Sequence, residues 1–394
     1  MTTVLASPET SPPAGAAPLR VEIIGDVEGL RRLEPAWRDL SSRVPYWSAS
    51  QLCEYTATAW EVMPKDAGCS LAVIAVWRGA RLAGVWPLYV RREGLVTIAT
   101  HPGLGDSGEY AGPTISDAEP GKVAELALKE ARGLADVLQV FALHSGSPLA
   151  PVIARMGGLK YSNNLLSPVV AVTACETFDA WLATKSGSFR AELRNDRKRM
   201  AAQGALEFVR MMGPDDGPAL VDWLFEIKKE WLAARNISES WILQPQGRDL
   251  SKALISEPDG PDAEARPFQA FALRLDGKIA AGCICYRSSD VLEYYMTGFD
   301  PAFRAYSPGN LLIEDLARWS LRQGLDFDFR ITRDAYKMRW QGRDVAYETH
   351  IVACTPKGAP RVLRFEANRV VRKIRMALGP MIKRWRKPRK KNKA

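Results

Sequence analysis

The chain has 394 residues, 46% of them hydrophobic and 25% charged, with a net charge of +9. That balance excludes a wholly disordered protein, and the length allows about two to three domains. No apolar run approaches the ~20 residues that would span a bilayer, and no repeat of solenoid length is present.

Residues 1–20 are rich in Ala, Pro, Ser and Thr without periodicity, and read as a disordered leader. They lack a charged region followed by an apolar one, so a cytoplasmic location is expected. Apolar spacing predicts helices over 27–43 and 50–62, strands over 71–77, 82–90 and 96–99, a helix over 121–134 and a strand over 137–144. The first half is therefore a mixed α/β unit.

The second half echoes the first. Residues 72–89 (AVIAVWRGARLAGVWPLY) and 270–287 (AFALRLDGKIAAGCICYR) align at a shift of 198, with Gly79 on Gly277, Ala83 on Ala281 and Gly84 on Gly282. Each reads as two strands joined by a tight glycine turn. The same shift lays 101–112 (HPGLGDSGEYAG) over 299–310 (FDPAFRAYSPGN), and each half continues with a helix and a strand. Ahead of the second echo, 188–203 is a helix with Arg190, Arg194, Arg197 and Lys198 on one face, followed by a helix over 215–235. Residues 244–267 are polar with four prolines and read as an excursion or flexible lid.

Residues 292–340 carry the densest motif. A strand ending near Phe299 runs through a Gly/Ser/Pro loop into a helix with Leu311, Leu312, Leu316 and Trp319 at core spacing. Such a loop aims backbone N–H groups and a helix N-terminus at one point, which suits a pyrophosphate. Arg304 would add charge, and Ser307 and Asn310 side-chain donors; the competing reading is a plain turn capped by Ser307 with Pro308 at the first helical position. Cys283 and Cys285 share one side of a strand, but no second ligand pair follows, and no metal is expected.

This segment resembles the acyl-CoA-binding core of the GNAT N-acyltransferases, whose signature is Q/R-x-x-G-x-G/A. Arg304-Ala305-Tyr306-Ser307-Pro308-Gly309 fits, except that Ser307 stands where the first glycine is usual. FDPAFRAYSPG followed by FDFR and DAYKMRW is similar to the CelD-like branch, related to tandem-domain FemAB transferases and including bacterial ceramide synthases. The resemblance is strong over 268–345, weaker over 21–267, and absent from the termini.

It implies two tandem GNAT-like domains, 21–185 and 186–360, each a mixed central sheet flanked by helices, followed by a tail over 361–394. It further implies acyl-CoA as co-substrate, its thioester arm entering between two splayed parallel strands, with Met296 and Gly298 near the oxyanion donor and Arg304 to Asn310 around the phosphates. An amine would attack the thioester, requiring a base, an oxyanion donor and a proton for the thiolate. Asp326 and Asp328 alternate along a strand and are candidate bases, unless they pair with Arg330 or Arg333. Glu293 is the alternative base, Tyr336 the candidate acid, and Lys337 either orients a substrate oxygen or is a surface charge.

The first half departs from this pattern. Its matching loop carries Asp106 and Glu109 and no arginine; carboxylates repel a pyrophosphate, so this copy is not expected to hold CoA. Asp106, Glu109 and Tyr110 could instead hold a cationic amine across an interdomain cleft, or belong to a polar surface loop. Residues 361–394 contain fourteen Lys or Arg and one acid, a charge of +13 that leaves the body at −4. Their apolar residues alternate with cations as in a basic amphipathic helix, kinked at Gly379–Pro380. An anionic membrane surface is the expected partner, with core packing or RNA as alternatives. Together these point to a peripheral N-acyltransferase on the inner face of the cytoplasmic membrane, joining a long-chain acyl group to an amine such as a sphingoid base. The rivals are a FemAB-like transferase using charged tRNA and a non-enzymatic accessory protein of polysaccharide secretion.

Overall fold

The computed structural model describes residues 17–62, 68–103, 109–237, 244–257, 260 and 262–385. Of the expected leader, 1–16 lie outside them, while Leu19 and Arg20 already belong to the first strand. The first half comprises β1 (Leu19–Ile24), α1 (Val27–Ser42), α2 (Cys53–Val62), β2 (Ser70–Arg78), β3 (Arg81–Glu93), β4 (Val96–Thr100), β5 (Thr114–Ile115), α3 (Pro120–Gly133), β6 (Val137–His144), α4 (Leu149–Arg155) and β7 (Lys160–Val170). The second comprises α5 (Phe178–Ala183), α6 (Gly187–Ala201), β8 (Leu206–Arg210), α7 (Asp216–Ala233), α8 (Pro245–Ile255), β9 (Phe268–Leu275), β10 (Lys278–Arg287), β11 (Val291–Phe299), α9 (Pro308–Arg322), β12 (Asp326–Asp328), α10 (Ala335–Trp340), β13 (Arg343–Ala353) and α11 (Ala359–Trp385).

Local chemistry explains the boundaries. The Asp26 carboxylate caps α1 by accepting from the Gly29 N–H at 2.6 Å, and Leu30, Leu33, Trp37 and Leu40 form its buried stripe. Gly79 (φ +61°) and Gly277 (φ +76°) turn the β2–β3 and β9–β10 hairpins, so the internal echo is structural as well as sequential. α9 starts at Pro308 and buries Leu311, Leu312, Leu316 and Trp319 as their spacing requires.

The strands join into one mixed sheet in the order β1-β2-β3-β4-β6-β13-β7-β12-β11-β10-β9-β8, with β5 beside β3. Two neighbouring pairs are parallel, β4–β6 and β11–β12. The halves exchange strands: β13, from the end of the chain, lies between β6 and β7, and β7 pairs with β12. The interior is thus one continuous hydrogen-bonded layer from β1 to β8. In the first half α1 covers one face and α3 and α4 the other; in the second, α7 and α8 cover one face and α6 and α9 the other. Helices on both faces are why β2, β3, β9 and β10 read as nearly continuous apolar runs.

The expected excursion over 244–267 is corrected. Much of it is α8, whose Leu250, Leu254 and Ile255 are buried with Leu220, Leu224 and Tyr55. Pro245 sits at the helix start, where its missing N–H costs nothing, so this proline marks a boundary.

Candidate functional site

Both parallel pairs splay. β4 and β6 are in register at Ile98↔Val137 and Ala99↔Leu138, and β11 and β12 from Val291↔Asp326 to Glu293↔Asp328; beyond those positions each pair parts. A register shift against β10 carries β11 from Tyr294 to Met296, leaving Tyr295 as an extra residue at the point of divergence.

The first gap is filled by its own chain. The Ala111 N–H donates to the Phe141 carbonyl of β6 at 3.2 Å. Ser50 Oγ donates to the Tyr110 carbonyl at 2.8 Å and Gln51 Nε2 to the Gly112 carbonyl at 2.9 Å. Gly112 has φ +116°, and a Cβ there would lie 2.4 Å from Leu143 Cδ1, so only glycine lets the segment lie this close to β6. An arm that pairs with the free edges of β4 and β6 would have to displace residues 109–112.

The main chain of the second loop does not bridge its gap. Residues 300–310 form a 3-10 turn, Pro301–Tyr306, that leads into α9 and keeps its main-chain bonds to itself and β10: Asp300 N–H to Ala280 O (2.9 Å), Ser307 N–H to Arg304 O (3.2 Å) and Asn310 N–H to Ser307 O (2.9 Å). Among the described residues, none of these bonds reaches β12. Ser307 is left-handed at φ +52°, ψ +49°, the conformation that explains why glycine is the usual residue of this motif. Gly309 and Asn310 lie in the first turn of α9. The Arg304 guanidinium sits 5.7 Å from the Phe299 ring. Arg199 of α6, which no local motif flags, donates to the Ala305 carbonyl at 3.0 Å and lies 5.6 Å from the Tyr306 ring. On β11, Met296 is buried and Gly298 packs against Ile227 and Leu224 of α7.

Where β11 and β12 part, a buried polar cluster joins the halves. Glu293 Oε2 receives Arg330 Nη1 at 2.8 Å, and its Oε1 receives Ser48 Oγ at 2.6 Å and the Ser288 hydroxyl. Asp328 accepts from Tyr110 Oη at 2.9 Å, from the Arg330 N–H at 2.7 Å and from the Ser167 hydroxyl. Glu109 accepts from Tyr295 Oη at 3.1 Å and Tyr55 Oη at 3.4 Å. The Arg330 guanidinium lies 4.5 Å from the Tyr110 ring and 5.1 Å from the Tyr295 ring, a cation–π enclosure around the charge. Burial raises the Glu293 carboxyl above its ordinary range despite Arg330, and Asp328's charge adds to the rise. Burial likewise raises Asp328, with the Ser167, Arg330 and Tyr110 bonds pulling the other way.

Thus Glu293, Asp328, Glu109 and Tyr110 converge across the halves, while Asp326 is held elsewhere. Asp326 accepts from the Thr173 N–H (3.0 Å) and hydroxyl (2.7 Å) and pairs with Arg343 at 3.0 Å. Arg333 pairs with Asp344. Asp106 lies outside the described residues. Tyr336 is 38% exposed, edge-on to Phe329, and burial followed by Asp334 keeps its phenol protonated beyond the ordinary range. Lys337 is not a surface charge: it is buried and donates to the Phe329 carbonyl at 2.9 Å. The hydroxyls of Ser48, Ser167 and Ser288 carried no sequence signal, because each is brought in from a different element. Among the described residues no group of His, Cys, Asp and Glu is placed to hold a metal ion.

Residues 187–338 match the family model of the acetyltransferase (GNAT) domain. That stretch, under half of the chain, is similar to a GNAT-type domain. Over 84–85% of its length the chain shares its fold with solved structures at low identity. FemX is 11% identical over 84% of this chain and 96% of its own, with a TM-score of 0.58. A conserved protein of unknown function from Bacteroides thetaiotaomicron is 11% identical over 84% and 100%, at 0.51. The C-terminal domain of a protein described as a lysylphosphatidylglycerol synthetase from Agrobacterium fabrum is 15% identical over 85% and 95%, at 0.50. No curated protein matches the chain.

The basic face expected on α6 is partly spent on packing, since Arg197 pairs with Glu314 and Asp315 of α9 at 3.0 and 2.8 Å. α11 docks through its first turns: Val362 and Phe365 pack with Ile98, Val137, Ile351 and Tyr161, and Arg361 pairs with Glu93. Further along, Val370, Val371 and Ile374 are about half exposed. The helix continues through Gly379 and Pro380, and 386–394 lie outside the described residues. No helix among the described residues is long and apolar enough to cross a membrane.

Proposed function

We propose that the chain is an acyl-CoA-dependent N-acyltransferase that takes its donor in the gap between β11 and β12. The observation that supports it most is the contrast within a GNAT-type domain: strands that part at Glu293 and Asp328, a gap the loop does not bridge, and a left-handed Ser307 opening the N-terminus of α9. The Gly309 main-chain N–H and the helix end would face the diphosphate, with Arg304 and Arg199 supplying charge. A main-chain N–H near Met296–Gly298 would steady the oxyanion.

The chain's own groups then divide the proton work. Asp328 or Glu293, both raised by burial, would accept the proton of the amine, directly or through water, and Tyr336 would give one to the thiolate. Glu109 and Tyr110 would hold the ammonium before transfer. The exposed apolar residues of α11 among basic ones favour docking at an anionic membrane, and hence a long acyl chain, with a sphingoid base the first acceptor to try.

The test is release of free thiol over a series of acyl-CoA chain lengths, with sphingoid bases, amino acids and amino sugars as acceptors. Thiol release that needs an amine, and is lost in Asp328→Asn, is expected. Activity that is indifferent to CoA thioesters but destroyed by ribonuclease would overturn the reading in favour of a charged-tRNA donor.

A further inference from the structure

Arg330 has a main-chain conformation that its side chain disfavours: its φ is +61°, in the left-handed region. A residue other than glycine stays there only where its surroundings over-determine it. Here they do so bond by bond. The Phe329 N–H donates to the Pro168 carbonyl at 3.1 Å. The peptide between Phe329 and Arg330 donates its N–H to Asp328 Oδ1 at 2.7 Å and takes the Lys337 ammonium on its carbonyl at 2.9 Å. The Arg330 carbonyl accepts from the Thr332 N–H at 2.7 Å, and the Thr332 hydroxyl meets the same ammonium. The turn leaves the guanidinium on Glu293.

α10 supplies the lysine. Trp340, one turn after Lys337 on the same helical face, is buried with its ring 5.9 Å from Trp181 and 4.9 Å from Phe189. Lys337 itself is 7% exposed, although its nearest carboxylate, Asp334 at 3.8 Å, stands in solvent. A lysine ammonium normally stays in water. A cation on a peptide carbonyl polarises that peptide and makes its N–H a stronger donor. This N–H ends on Asp328, so one peptide unit joins the lysine to the carboxylate.

We propose that Lys337 is a positioning residue for the transfer base: it clamps the left-handed turn at Arg330, which presents a main-chain N–H to Asp328 and a guanidinium to Glu293. As a role in transfer this rests on the reading above and deepens it; the clamp itself does not depend on that reading. Burial pushes the Lys337 ammonium down to about 8, with Asp334 and Asp328 opposing and Arg330 and Lys228 adding to the fall. The other ionisable groups around Asp328 are Arg330, Tyr110, Glu293 of β11, Tyr347 of β13 and Tyr46. Removing the lysine's charge weakens the donor to Asp328, so a carboxyl already raised by burial should rise further.

The test uses the full-length protein labelled with carbonyl-13C phenylalanine and 15N arginine. The sequence has three Phe–Arg pairs, at 189–190, 303–304 and 329–330, and Arg190→Lys and Arg304→Lys identify the third signal by removing the other two. In the wild type that signal should shift with a midpoint near pH 8, and Lys337→Met should abolish the shift. A signal that stays fixed from pH 6 to 9.5, or one that still shifts in Lys337→Met, overturns the clamp, and the wild-type titration decides even where the variant does not fold. With an accepted amine, Lys337→Met should lower kcat about a hundredfold, leave the donor KM within twofold, and move the acid limb of the kcat profile up by about one pH unit. Lower stability with kcat and its pH limb unchanged would make the lysine merely structural and overturn the positioning role. If the wild type acylates no amine, the transfer reading fails, and the labelled titration still judges the clamp.

Discussion

The two halves of this molecule solve the same geometric problem in opposite ways. Each has a parallel strand pair that splays, leaving main-chain groups at a gap. In the first half residues 109–112 fold back into the gap and pair with β6, and Gly112 is what lets them fit. In the second half the corresponding loop coils into a short 3-10 turn and starts a helix instead. The filled gap is not idle, because the segment that fills it delivers Glu109 and Tyr110 to the polar cluster at Glu293 and Asp328. The first half is thus a supporting wall for the second, which is a physical reason for the halves to share one sheet.

Breaking the cluster that joins the halves should have the largest effect. Arg330→Met leaves Glu293 buried without its ion partner and should cost about 3–5 kcal/mol, read from urea unfolding, with acyl transfer lost in the protein that still folds. Gly112→Ala should come next. Its Cβ meets Leu143 and its backbone is left-handed, so about 2–4 kcal/mol of stability should be lost.

A glycine substitution in the second half sharpens the contrast. A Cβ on Gly309 would meet only Phe299, at 3.9 Å. Gly309→Ala should therefore keep its melting temperature while CoA affinity falls about tenfold, or ~1.4 kcal/mol. Titration calorimetry should find one CoA per chain; two would mean that the 109–112 segment yields its gap. A smaller effect concerns pH. Asp328 is raised in the folded state, so its contribution to stability is full below the ordinary carboxylate range and is lost as pH rises through the raised value. Asp328→Asn should flatten that part of a stability profile measured between pH 4 and 8. Smallest, Ser307→Gly should relieve the left-handed strain and gain about 1 kcal/mol, with the donor still bound.

Much of the fold could be read in advance, and the reasons are local. The strand runs, the hairpin glycines and the stripe of α9 depend on side-chain period and turn chemistry, which neighbouring residues specify. The departure of the first-half loop was also visible, in Asp106 and Glu109 where an arginine would be expected. The site was legible only in part. Glu293, Asp328 and Lys337 stood in one dense motif, but their partners Ser48, Tyr110 and Ser167 lie between 160 and 250 residues away in the chain, and no spacing rule reaches that far.

By itself the sequence determined the mixed α/β character, the echo between halves, the Arg304–Asn310 turn and the basic end of the chain, because each follows from periodicity, composition or the conformational limits of single residues. Tertiary structure alone decided that β13 lies between β6 and β7, that Asp326 is committed to Thr173 and Arg343 while Asp328 meets Tyr110, and that one gap is filled. Those outcomes depend on which main-chain donors and buried charges find partners once the sheet has closed, and that pairing is set by three-dimensional proximity rather than by order along the chain.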